Sequence, residues 1–164
     1  MPGQRKSFNK GEHMPHGRNP ESDQRKSKIV SDLRQRFGEV CRNRTNRHDW
    51  YQLKGGEVEI FITDSKAHFN ERPWFDMSVS DIQELANHQS GFIIFVLGEA
   101  DSYLVIPAAQ LQNELNNYVK GRRKLKRGFY HFNLPLPGAT FSQLPNFNLM
   151  PYRLNLQLIQ NAIK

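Results

Sequence analysis

The chain has 164 residues, with 23 Lys and Arg against 16 Asp and Glu, a formal charge of +7, and a single cysteine, Cys41. That length buries a sizeable core without a disulfide or a metal, and one cysteine excludes a disulfide framework or thiolate metal cluster within the chain, so a single domain in a reducing, cytoplasmic compartment is expected. The longest apolar run, Phe92 to Leu97, is far too short to span a bilayer, and the polar N-terminus lacks the apolar stretch of a signal peptide, so a soluble protein that is not obviously secreted is expected.

The charge is segregated along the chain. His48 to Val119 holds 11 acids and 3 bases, a net of −8, whereas the remainder holds 20 bases and 5 acids, a net of +15. Concentrated positive charge displaces counterions from a polyanion, which makes nucleic acid the leading partner class, DNA first, with RNA as an alternative. A basic tail that merely solvates the chain is the plainer reading, and self-association into a homo-oligomer is left open.

Residues 1–22 combine Pro, Gly, Asn, His and charge with almost no apolar side chains, too few to offset the entropy of ordering. They read as a disordered basic tail ahead of a nucleic-acid-binding α/β domain over residues 23–164. From Asp23 the apolar residues Ile29, Val30, Leu33, Phe37 and Val40 share one face at the helical period of about 3.6 residues. The other face carries Arg25, Lys26, Lys28, Arg34 and Arg36, with Arg42, Arg44 and Arg47 following, a set that suits either a solvated surface or a phosphate-contacting one.

Two β-prone runs, Trp50 to Leu53 and Val58 to Thr63, flank Lys54-Gly55-Gly56-Glu57, a hairpin signal. Glu57 and Glu59 alternate with Val58 and Ile60, so one face of the second strand is wet at its start. Trp74 to Met77 forms a short strand, and Ser80 three residues before Gln83 makes a capping box for a helix reaching about His88, with Ile82, Leu85 and Ala86 facing the core. Phe92 to Leu97 lacks polar alternation, as a central strand buried on both faces does, and the turn from Gly98 to Asp101 leads into an antiparallel partner, Ser102 to Ile106. Pro107 opens a helix that Gly121 can end. Phe129 to Phe132 is a strand, Leu134 to Pro151 a loop rich in Pro and Asn, and Leu154 to Ile163 a terminal amphipathic helix. The order of elements predicts one compact α/β domain, a mixed β-sheet flanked by helices.

Chemistry concentrates at the hairpin. The strand from Val58 runs into Asp64-Ser65-Lys66, and Asp49 lies upstream in the same hairpin. Two carboxylates converging at a sheet edge suit Mg²⁺, which takes oxygen ligands and water, and a neighbouring lysine stabilises charge on a phosphoryl group. On these residues the chain resembles the restriction-endonuclease-like nucleases of the PD-(D/E)xK type, in which an acid precedes a strand that ends in an acid, any residue and lysine. Trp74 to Ser78, Gly91 to Gly98 and Tyr103 to Pro107 are also similar to the sheet of small nuclease-like proteins from restriction systems. The resemblance covers Asp49 to Leu115, although Asp49 follows His48 where the pattern has proline. It implies an endonuclease-like fold and Mg²⁺-dependent hydrolysis of DNA phosphodiesters, with Asp49 and Asp64 as metal ligands, Lys66 as the electrostatic partner, and Asp32 or Glu39 completing the shell.

A second basic cluster, Arg122, Arg123, Lys124, Lys126 and Arg127, joins a helix to a strand and can lie along a phosphate backbone or enter a groove. The aromatics that follow, Phe129, Tyr130 and Phe132, either stack on unpaired bases or alternate into the core. Trp50, Tyr51 and Trp74 divide between core edge and base cage in the same way. The scattered histidines show no His-x-x-x-His spacing, no serine sits in Gly-x-Ser-x-Gly, and Gly55-Gly56 lacks the spacing of a phosphate loop. Zinc, acyl-transfer and nucleotide-cofactor chemistry therefore have no support. Three readings follow: a DNA-binding protein of a restriction or defence system that contacts phosphates through the basic helix and loop; a Mg²⁺-dependent endonuclease; and a protein-interaction domain.

Overall fold

The computed structural model describes residues 20–42, 49–65, 72–98, 101–119, 128–135 and 138–164. Helix α1 (Pro20–Phe37) starts three residues ahead of Asp23, with proline at the first turn, where its missing N–H leaves no bond unmade. Ile29, Val30, Leu33 and Phe37 are buried as their spacing requires. Val40 is buried too, but in strand β1 (Val40–Arg42), because Gly38 takes φ +88° and donates its N–H to the Arg34 carbonyl, which ends the helix.

Strands β2 (Trp50–Leu53) and β3 (Val58–Asp64) form the expected hairpin, closed by the pair Leu53 and Val58. Lys54, Gly55 and Gly56 in its turn all have positive φ, which two glycines make tolerable. Val58, Ile60 and Ile62 are buried while Glu57 is exposed and Glu59 half-buried, so the strand is wet at its start. Strand β4 (Trp74–Ser78) leads straight into α2 (Val79–Asn87), which returns the chain to β5 (Gly91–Val96), parallel to β3. Strand β6 (Tyr103–Pro107) then pairs antiparallel with β5. The main sheet runs β1-β2-β3-β5-β6, and β5, between two neighbours, is buried along its whole length.

Other expectations shift. The capping box does not form, since α2 begins directly at the end of β4 and Ser80 lies inside its first turn, where its Oγ hydrogen-bonds Ser78 Oγ at 2.7 Å. Pro107 stays in β6, paired with Phe92, and α3 (Ala108–Val119) starts one residue later; Gly121 lies outside the described residues. Strand β7 (Phe129–Asn133) joins β4 in a separate two-stranded ribbon rather than the main sheet. The last helix, α4 (Gln157–Ala162), is short because Leu154, at φ +51°, breaks the helical run before it.

Helices and ribbon cover the sheet on two faces. Against one face, α1 and α4 bury Ile29, Leu33 and Ile159 on Ile60, Ile62, Ile94 and Val105. Against the other, α2, α3, the β4–β7 ribbon and the segment 141–152 bury Leu85, Leu111, Phe75, Phe132, Phe141 and Leu149 on Trp50, Ile93, Phe95 and Ile106. The result is a single mixed α/β unit, and no described helix is long and apolar enough to cross a membrane. Gly91, where α2 hands over to β5, is fixed by close approach: a Cβ there lands 2.0 Å from the Leu85 carbonyl oxygen. Gly91→Ala is therefore expected to cost at least the roughly 1–3 kcal/mol typical of overpacking, read as an earlier urea midpoint with unchanged slope.

Candidate functional site

Hairpin register decides where the two motif carboxylates go. Trp50 faces Phe61, so Asp49 falls opposite Ile62, whose N–H donates to the Asp49 carbonyl at 3.0 Å. Asp64 follows Ile60 and Ile62 on the same side of β3, the side under α1. Two acids fifteen positions apart thus stand on one face and at one end of the sheet. That end is the carboxyl end of the parallel pair, where Asp64 lies beside Val96 of β5. A third acid, Asp101, precedes β6 at this same end, because β6 runs antiparallel to β5.

The first turns of α1 meet this rim with three cations. Arg25 chelates Asp64, with Nη2 to Oδ2 at 2.5 Å and Nε to Oδ2 and Oδ1 at 3.1 and 3.2 Å. Lys26 Nζ reaches Asp49 Oδ1 at 3.0 Å. Lys28 pairs with Asp101 and, at 4.0 Å, with Asp32 one turn on. The Asp64 side chain is only 4 % exposed, and its hydrogen bonds to the guanidinium raise the Arg25 pKa further above its ordinary value. Lys28 is raised in the same direction by its bond to the Asp101 carboxylate, but that pair is solvent-exposed and contributes little to stability.

This pairing bears on both readings of the basic face of α1, the solvated surface and the phosphate-contacting one. Arg25, Lys26 and Lys28 are engaged with acids of the sheet rim, and the exposed cations left toward the helix C-terminus are Arg34 and Arg36. Arg34 Nη2 approaches the Val40 carbonyl at 3.5 Å, and Arg36 bonds Gln157 Oε1 at 3.1 Å and lies over the Phe37 ring. Arg42, at the end of β1, is exposed. Lys66, Arg44, Arg47, Arg122, Arg123, Lys124, Lys126 and Arg127 lie outside the described residues. The two further acids point elsewhere: Asp32 faces Lys28, and Glu39 Oε1 accepts from Cys41 Sγ at 3.3 Å. Among the described residues no group of three or more His, Cys, Asp or Glu side chains is assembled for a metal.

Of the aromatic candidates, Trp50, Tyr51, Tyr130 and Phe132 are buried in the core, Trp74 is half-buried, and Phe129 is 45 % exposed. His131, across the ribbon from Asp76, contacts its carboxylate at an exposed position. The pairing of α1 with the rim escaped the sequence reading, although its signal was present: Arg25, Lys26 and Lys28 fall within one turn of each other, close to where the apolar face of α1 begins. No protein-family model, curated protein or solved structure matches the chain.

Proposed function

We propose that the protein binds DNA and hydrolyses its phosphodiester bonds with Mg²⁺, as an endonuclease-like member of a restriction or defence system. The observation that carries the reading is the convergence of Asp49 and Asp64 on one face, at the carboxyl end of a parallel strand pair, the end at which open α/β sheets receive their ligands. The donor set fits the ion, since Mg²⁺ is commonly held by one or two carboxylates together with water and substrate phosphate oxygens. Asp49 and Asp64 would hold it, and the bound ion would supply Lewis-acid stabilisation of charge on the phosphate oxygens. Arg25 and Lys26 hold both carboxylates oriented toward α1. Lys66, two residues beyond Asp64, is assigned to the charge that develops on the phosphoryl group, and Arg34, Arg36, Arg42, Arg44, Arg47 and the bases from Arg122 to Arg127 to the DNA backbone.

A second reading, DNA binding without cleavage, is favoured by one feature: Arg25 and Lys26 already satisfy the two carboxylates, as purely structural ion pairs do. One experiment separates the two. In an electrophoretic mobility shift on labelled double-stranded DNA, affinity is expected to fall steeply with salt, because phosphate neutralisation releases counterions. Addition of Mg²⁺ is expected to shorten the DNA, and Asp64→Asn to reduce that cleavage by at least about 100-fold, the scale of losing a transition-state electrostatic group, while the shift persists. A salt-sensitive shift with intact DNA leaves the binding-only reading standing. No shift at low salt rejects both.

A further inference from the structure

A pocket of about 300 Å³ opens on the side of the sheet away from α1, between the C-terminal half of α3 and the segment 142–147. Glu114, Asn117 and Tyr118, three and four positions apart on α3, form one wall by helical periodicity, and Gln143, Asn146 and Phe147 form the other. The volume is at the lower limit for small-molecule sites and accepts one planar ring system rather than a chain of them.

The lining selects the chemistry. It has aromatic surface from Tyr118 and Phe147 and carboxamides that both donate and accept hydrogen bonds. No cation is present among its described residues. Among the described lining residues the single charge is the Glu114 carboxylate, and Asn117 and Tyr118 on the same wall lie in the last turn of a twelve-residue helix, whose carbonyl end carries partial negative charge. Both features repel a phosphate and favour a neutral ring rich in N–H donors. The sequence, in contrast, places six Lys and Arg within the eight positions that follow Val119. We infer that this pocket receives a single extrahelical nucleobase, guanine by preference, whose ring N–H and exocyclic amine suit the Glu114 carboxylate and whose face stacks on Tyr118. This rests on the nucleic-acid reading of the protein but not on cleavage.

The test is fluorescence anisotropy with the full-length protein and three labelled probes: an oligo-dT strand, the same strand with one central guanine, and a fully paired duplex. The strand containing guanine is expected to bind about tenfold tighter than oligo-dT, within the range for one stacked base. Glu114→Gln is expected to abolish that preference and Tyr118→Ala to weaken both single strands several-fold. Neither change should affect the duplex, and circular dichroism should report an unaltered fold. Equal affinity of the wild-type protein for the two single strands overturns the inference, as does a preference for guanine that survives in Glu114→Gln. Failure to bind any of the three probes overturns it together with the nucleic-acid reading itself, which sets that failure apart from the others.

Discussion

Arg25→Met is expected to lower the stability of the folded protein by about 3 kcal/mol, because it leaves Asp64 as an uncompensated carboxylate in a nearly closed environment. The Arg25 guanidinium makes three hydrogen bonds to that side chain, at 2.5–3.2 Å. Arg25 itself retains 21 % of its side-chain exposure, which places the loss at the lower end of the roughly 3–5 kcal/mol seen when a buried pair is broken. Lys26→Met should cost less, under about 1 kcal/mol, since Asp49 is 33 % exposed and water replaces part of the lost interaction. The double variant Arg25→Met with Asp64→Asn should be more stable than the sum of the two single effects allows, by about 1 kcal/mol or more. Chemical denaturation of the four proteins measures this directly. Mg²⁺ adds a second comparison: a metal bound through the Asp64 carboxylate that the substitution leaves unpaired would stabilise Arg25→Met by about 2.7 kcal/mol at a hundredfold excess over its dissociation constant. Stability equal to wild type defeats the assignment of the ion pair. A destabilised variant indifferent to Mg²⁺ favours DNA binding without cleavage.

Phe95→Ala is expected to be the most damaging core substitution, at about 3–5 kcal/mol. Its ring is fully buried at the centre of the sheet, 5.0 Å from Phe75 in an edge-to-face arrangement, 5.8 Å from Phe132 and 5.3 Å from Phe141. Those partners belong to β4, β7 and the segment leading to α4, so one side chain joins the ribbon and the C-terminal segment to the main sheet. Its removal leaves a cavity that rigid neighbours cannot fill and loses aromatic contacts worth about 0.5–1.5 kcal/mol each. For a chain of this size the melting temperature should fall by roughly 10 °C or more. Phe129→Ala, at an exposed position on the same ribbon, should stay within about 0.5 kcal/mol of wild type, and a calorimetric scan of the two variants distinguishes a core effect from a general loss of aromatic surface.

Much of the fold is legible in residue periodicity. The unbroken apolar run from Phe92 and the alternation from Glu57 to Ile60 report burial directly, because a strand exposes its faces to sequence two residues at a time. The hairpin followed from two glycines at a turn that needs positive φ. The placement of β7 was not legible: Phe129 to Phe132 has strand character, but nothing local distinguishes pairing with β4 from pairing with the main sheet, a choice made by the aromatic cluster around Phe95. The end of α1 was misread for a different reason, since Val40 continues the helical period and only the backbone of Gly38 overrides it. At the candidate site, the sequence placed Asp49 and Asp64 in one hairpin, and register alone brings them to one end. The sequence clusters Arg25 and Lys26 within one turn, but their closing over these acids depends on contacts spanning 39 residues in one case and 23 in the other, so the cluster does not name its partners.

The contact between Arg36 and Gln157 spans 121 residues, and it marks the seam along which α1 and α4 share one face of the sheet. Leu156 and Ile159 complete an apolar layer that begins at Ile29, so that layer stays unfinished until the last helix is synthesised. During translation the opposite layer, built mainly from residues between Trp50 and Tyr152, can consolidate first, while the underside of α1 remains open to water or to a chaperone. Non-local closure of this kind slows folding. The seam between α1 and α4 accordingly closes after the residues of the opposite layer are available to pack.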